Sequence, residues 1–233
     1  NCDVTNHDNL LKLFAKVRPN VVINCIGLIK QLAVADDPLI TLPINAELPH
    51  RLASLCILAD ARLVHMSTDC VFSGSKGNYK ESDISDATDL YGKSKYLGEV
   101  DYPHAITIRT SIIGHELQSA NGLIGWFLSQ HGSCRGFRRA IFSGLPTVVL
   151  AKVIRDIVLP KTELKGLYHV AARPISKYDL LKLVAEVYGK TIEIVPDDNL
   201  VIDRSLNPEK FNQATGYVVP EWVDLIKTMH SYQ

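Results

Sequence analysis

Three short apolar runs, separated by stretches with helical spacing, predict an α/β fold with a parallel, doubly wound sheet. The runs are Val21 to Ile26, Ala61 to Met66 and Ala105 to Arg109, the first and last rich in β-branched residues. Each has the near-continuous hydrophobicity of a strand covered on both faces. Between the first two, apolar residues recur at helical spacing from Ile44 to Leu58. Between the second and third, a polar loop with Gly74, Gly77 and Asn78 precedes a helix expected over 89–100. Such alternation implies parallel strands joined by crossovers, and ligands then bind beyond the carboxyl ends of the strands. Asn24, Gly27, Thr68, Thr110 and Ser111 all fall at or near those ends.

The second half continues the α/β pattern. A helix is expected over Asn121–Ser129, whose Trp126 and Phe127 either face a pocket or pack in a core. Cys134–Ala140 is a basic cluster, suited to a sugar diphosphate or to a solvated loop. Thr147 is the expected N-cap of the following helix. Leu164–Ala171 and Thr191–Val195 read as strands, and Ser176 as the cap of an amphipathic helix. Pro220 is expected to open a terminal helix. His115 and Glu116 reach the substrate or belong to a solvated loop, and both readings stand.

Composition narrows the class. The 233 residues carry 25 basic and 25 acidic side chains, a formal net charge of zero, so no electrostatic footprint points to nucleic acid or a membrane surface. No apolar run reaches the length of a transmembrane helix. The five cysteines lack metal-ligand spacing, so no metal site is expected and a reducing cytoplasm is the simplest reading. Cys25 and Cys56 lie in apolar segments and are expected to be buried, as is His65 with its hydrogen bonds satisfied.

The chemistry sits between Ser67 and Ser111. Tyr91 and Lys95, four apart on a helix, project from one face. An ammonium beside a phenol favours the phenolate and lowers a pKa that starts near 10. A phenol so tuned exchanges a proton near neutral pH, as carbonyl reduction requires. With nine Tyr in the chain, chance placement alone supplies roughly 0.6 Tyr-x-x-x-Lys pairs. A second pair, Tyr178 and Lys182, lies in the Ser176-capped helix and is read as structural. What separates them is Thr68 and the strand ends, which have no counterpart around Tyr178.

Val21-Val-Ile-Asn-Cys-Ile-Gly27, Ser67-Thr-Asp-Cys-Val-Phe-Ser-Gly74, Tyr91-Gly-Lys-Ser-Lys95 and Ile108-Arg-Thr-Ser-Ile-Ile-Gly114 resemble the extended short-chain dehydrogenase/reductases. Within them the chain looks most like the dTDP-4-dehydrorhamnose reductase branch, and Asp203-Arg-Ser-Leu206 and Pro220-Glu-Trp222 resemble that branch's tail. The resemblance implies a Rossmann-like fold and reduction of a 4-keto nucleotide sugar with NADP or NAD as cofactor. Tyr91 matches the acid/base, Lys95 the residue that lowers its pKa and holds the nicotinamide ribose, and Thr68 the hydroxyl that orients the substrate carbonyl. Asn24, Cys25, Ile26 and Gly27 match the turn along the cofactor, Asp3 an acid near the adenine, and Thr110, Ser111 and Ile112 the stretch near the nicotinamide. Asp69, Cys70, Trp126 and Arg204 are carried over as substrate contacts, Arg204 for the nucleotide diphosphate. Residues 1–116 then form the later part of the dinucleotide-binding domain. Residues 117–233 are mainly a substrate lobe, with about 147–172 returning to the first domain. The reading leaves room for a homodimer.

Two departures bear on the reaction. The glycine-rich phosphate loop of the family is missing from this sequence, so the chain reads as a piece of a longer enzyme, with roughly fifty residues expected upstream. NAD and NADP therefore stay open. The residue after Asp69 is Cys70, where related 4,6-dehydratases carry an Asp-Glu pair. A thiol with a reference pKa near 8.5 replaces a carboxylate poorly, which disfavours dehydration. An epimerase, or a non-catalytic regulatory subunit keeping the fold, remains the alternative.

Overall fold

The apolar runs form one four-stranded sheet in the computed structural model, which describes residues 2–29, 32–117 and 122–232. Its spatial order is Val21–Asn24, Arg62–Thr68, Ala105–Thr110, Gly166–His169. The first two strands pair in parallel, Val21 opposite Arg62 through Asn24 opposite His65. Ala105–Thr110 is buried at every position, as a strand inside a covered sheet should be. Val21–Asn24 departs from that expectation. It is an edge strand two residues shorter than expected, with Val21 and Ile23 exposed and only Asn24 buried. Cys25, just past its end, is exposed rather than buried, whereas Cys56 is buried.

The connection from 38 to 58 is longer and less regular than the periodicity indicates. Helix Pro38–Leu42 runs into a π-turn, Pro43–Glu47, and then into helix Leu48–Leu58. Leu48, Leu52, Leu55 and Cys56 from this helix pack with Leu10, Leu63 and Ala105 in the core of the sheet. Leu10 comes from a helix over His7–Val17, which begins at Asn6, whose side chain accepts from Asn9 N.

The chain folds as two units. The first runs to Ser73 and takes in Glu81–Arg109 and Glu163–Tyr168; the second holds Gly74–Lys80, Thr110–Thr162 and the chain from His169 onward. The chain passes from the first unit to the second at Arg109–Thr110, and Glu163–Tyr168 returns to the first.

The second unit is built from short strands. Ser133–Phe137 pairs with Glu193–Asp197, and Ala140–Phe142 lies between Ile202–Asp203 and Ile175–Ser176. Helix Lys177–Val187 is capped by Ser176 Oγ accepting from Asp179 N. Thr147 is not an N-cap: helix Thr147–Val153 starts on it, and its hydroxyl donates to Ile113 O at 3.2 Å. The terminal helix is Trp222–His230, two residues past Pro220. Helix Leu123–Ser129 buries Phe127 and leaves Trp126 38% exposed; Asn121, expected to open it, lies outside the described residues. No described helix is long and apolar enough to cross a membrane.

Candidate active site

Asp89 sets the start of helix Leu90–Leu97 by accepting from Gly92 N at 2.7 Å. Gly92 is required by a close approach: a Cβ there would lie 2.3 Å from Cys70 O. That approach brings Tyr91 to the end of strand Arg62–Thr68. Thr68 caps a short 3-10 turn, Asp69–Val71; its hydroxyl accepts from Cys70 N and donates to Asp69 Oδ1, both at 3.1 Å. The Thr68 side chain lies beside the Tyr91 phenol, close enough to lower its pKa. The structure therefore gathers Thr68, Asp69, Cys70 and Tyr91 into one cluster.

Lys95 is buried one turn along, and Nζ donates to Met66 O at 2.7 Å. Burial pushes its pKa down to about 8, opposed first by Glu99 and next by Cys25. The same side chain lies beside the cofactor-type turn, 3.7 Å from where a Gly27 Cβ would stand. One expectation is corrected. The Tyr91 phenol is raised, not lowered, chiefly by burial and next by Cys70, with Thr68 as the opposing influence. Lys95 does not contribute, because its ammonium is directed at the Met66 carbonyl.

The turn after strand Val21–Asn24 is held by two amides. Asn24 is buried; its Oδ1 accepts from Ile26 N and its Nδ2 donates to His65 Nδ1, both at 3.1 Å. Receiving that bond puts the proton of neutral His65 on Nε2, which is buried without a partner among the described residues. His65 is thus a half-satisfied core residue rather than a fully satisfied one. The second amide is Asn45, which no sequence motif flagged. Its Oδ1 accepts from Leu28 N at 2.8 Å, and its Nδ2 donates to Leu28 O at 3.1 Å and to Ser94 Oγ at 3.2 Å. The available signal was a lone amide between Ile44 and Ala46, in the stretch from Pro43 to Pro49. Its π-turn fits the tendency of such turns to mark functional positions.

Asp3 is exposed, and its Oδ1 accepts from Thr5 N and Thr5 Oγ1, which holds its carboxyl below the usual range. The remaining residues belong to the second unit. Thr110 Oγ1 donates to Ser111 O, Ser111 O accepts from Leu145 N, and Ile112 is exposed on strand Ile112–Ile113. Arg204 is half-buried, with Cγ 3.0 Å from where a Gly74 Cβ would stand. In the basic cluster, Arg135 pairs with Asp197 and Arg138 with Asp198. Lys182 sits over its own Tyr178 ring at 5.4 Å, an ordinary helix-surface contact.

Residues 1–229 match the model of the RmlD substrate binding domain. The chain belongs to that family. Among its relatives, the dTDP-4-dehydrorhamnose reductase of Aggregatibacter actinomycetemcomitans is 27% identical over 261 residues, covering 99% of this chain and 87% of that one. The reductase of the same name from Salmonella typhimurium is 26% identical, covering 97% and 84%. A solved dTDP-4-dehydrorhamnose reductase from Bacillus anthracis, in complex with NADP, superposes with a TM-score of 0.86 at 21% identity, covering 99% of this chain and 86% of that one. The α/β fold with its Rossmann-like sheet is thus that of this RmlD family member.

The residues present fit a nicotinamide cofactor. The 24–28 turn is ordered by Asn24 and Asn45, Gly27 keeps it free of a side chain, and a buried ammonium stands beside it.

Proposed function

We propose that this chain carries the catalytic residues of an NADP- or NAD-dependent reductase acting on the ring ketone of a 4-keto nucleotide sugar. The observation that carries the reading is the placement of Tyr91 beside Thr68 at a strand end, with Lys95 one helical turn away. When bound, the reduced nicotinamide supplies hydride. Thr68 Oγ1 orients the ketone oxygen, and Tyr91 gives its proton to that oxygen as charge develops there. A phenol raised above its ordinary value stays protonated at neutral pH, the state a proton donor needs. Lys95, with a pKa of about 8, is mostly cationic there and supports the developing alkoxide electrostatically.

Asn24, Cys25, Ile26, Gly27 and Lys95 hold the cofactor in this reading, with Asp3 on its adenine side and Thr110, Ser111 and Ile112 near the nicotinamide. Asp69, Cys70, Trp126 and Arg204 contact the substrate. Cys70 in place of a carboxylate supports reduction over dehydration. Five free cysteines suit a reducing cytoplasm, and a homodimer is the assembly to test by sedimentation.

The test is to mix full-length protein with NADPH or NADH and a panel of 4-keto nucleotide sugars. Net loss of the reduced nicotinamide absorbance is expected. Sugar conversion with no net consumption would replace the reductase by an epimerase, and no conversion at all would favour a non-catalytic subunit.

A further inference from the structure

Four residues past Lys95, just beyond helix Leu90–Leu97 and its C-cap Gly98, comes Glu99. Tyr91, Lys95 and Glu99 meet three successive residues at the end of strand Arg62–Thr68. Lys95 donates to Met66 O, Ser67 Oγ donates to Glu99 Oε1 at 2.7 Å, and Tyr91 lies beside Thr68. Arg109, from the neighbouring strand Ala105–Thr110, grips Glu99 with two hydrogen bonds. Nε donates to Oε1 at 2.7 Å and a terminal nitrogen to Oε2 at 2.6 Å. Both side chains are buried, 2% and 10% exposed, and the guanidinium lies 5.0 Å from the Phe72 ring centre.

A buried ion pair is weak evidence for a role in stability, since apolar replacements of similar volume often fold as well or better. Its location is more telling. Glu99, two residues past the helix that carries Tyr91 and Lys95, joins the chain there to two strand ends, to Ser67 by a hydrogen bond and to Arg109 by the ion pair. We infer that Glu99, held by Arg109, is a positioning residue that keeps this helix in register on the strand end and Lys95 in place beside the 24–27 turn. The inference rests on the reductase reading above and adds to it a residue that touches neither substrate nor cofactor. Electrostatics agree: Glu99 is the foremost group raising Lys95 against burial, with Cys25 second, while buried His65 on the strand is neutral.

Glu99→Gln alone would leave a buried guanidinium uncompensated, so the informative variant is the double substitution Glu99→Gln/Arg109→Met, with Glu99→Asp as companion. Full-length protein labelled with [13Cε]lysine reports the titration of Lys95 by NMR, its signal assigned through Lys95→Arg. Removing a nearby negative charge disfavours the ammonium, so Lys95 should titrate about one pH unit lower in the double variant. It should move in the same direction, by less, in Glu99→Asp. The alkaline limb of kcat should move with it, with KM for the sugar unchanged. An unshifted Lys95 in either folded variant overturns the inference. A shifted Lys95 in a protein that turns over no nucleotide sugar leaves this inference standing and removes the reductase reading.

Discussion

Lys95 shows at the scale of one residue how function opposes stability. Its folded pKa of about 8 lies below the 10.5 of an exposed lysine. Between those values the unfolded chain binds more protons, so the contribution to stability rises with pH across that window. Below pH 8 the full penalty of the buried ammonium applies, on the order of 3–4 kcal/mol at about 1.4 kcal/mol per pK unit. Lys95→Met, which removes the charge at similar volume, should melt several degrees higher than the parent at pH 7, with the gain shrinking toward pH 10, while turnover is lost. A lower melting temperature at pH 7 would show that the bond to Met66 O outweighs the burial. Tyr91 was legible in the sequence only through its neighbours, because Tyr178–Lys182 has the same spacing and sits on an ordinary helix surface. Its titration was not legible: spacing put Lys95 beside it, but the ammonium found a backbone carbonyl instead.

At the scale of elements, propensity and packing compete at Gly92. Alanine is favoured over glycine in a helix by about 1 kcal/mol. Its Cβ would, however, stand 2.3 Å from Cys70 O and 2.6 Å from the Ala87 Cβ, and overpacking of this kind costs about 1–3 kcal/mol. A backbone carbonyl cannot move aside as a side chain can, so packing should win. Gly92→Ala should lower the unfolding free energy measured in urea by a net amount on the order of 1 kcal/mol, and the displaced Tyr91 should lower turnover. A more stable, fully active Gly92→Ala would mean that the helix does not press on the 69–71 turn. The strands and this helix were readable because burial on both faces leaves a continuous apolar signature. The π-turn at Pro43–Glu47 was not, because tertiary bonds from Asn45 to Leu28 and Ser94 define it. Thr147 failed as a cap for a similar reason, its hydroxyl being used by Ile113 O.

At the scale of the whole molecule, two features escaped one-dimensional reading. Gly74–Lys80 leaves the first unit for the second, where Asn78 N donates to Ser205 Oγ, 127 residues away, and Tyr79 N donates to Ser205 O. Glu99 and Arg109 form their pair across a loop and a strand; Glu99 lies in no motif, and Arg109 lies in the Ile108–Gly114 motif without a role of its own. The candidate site itself was largely legible, since Thr68, Tyr91, Lys95 and the 24–27 turn all come from the ends of recognisable elements. The central claim is that Tyr91 supplies the proton to a reduced ketone. Its most direct measurement compares Tyr91→Phe with the parent full-length protein, for turnover of a 4-keto nucleotide sugar and for affinity toward NADPH or NADH. Turnover should fall by roughly 10²–10⁴-fold, the range of general acid catalysis, with cofactor affinity changed little. Turnover near that of the parent would contradict the account.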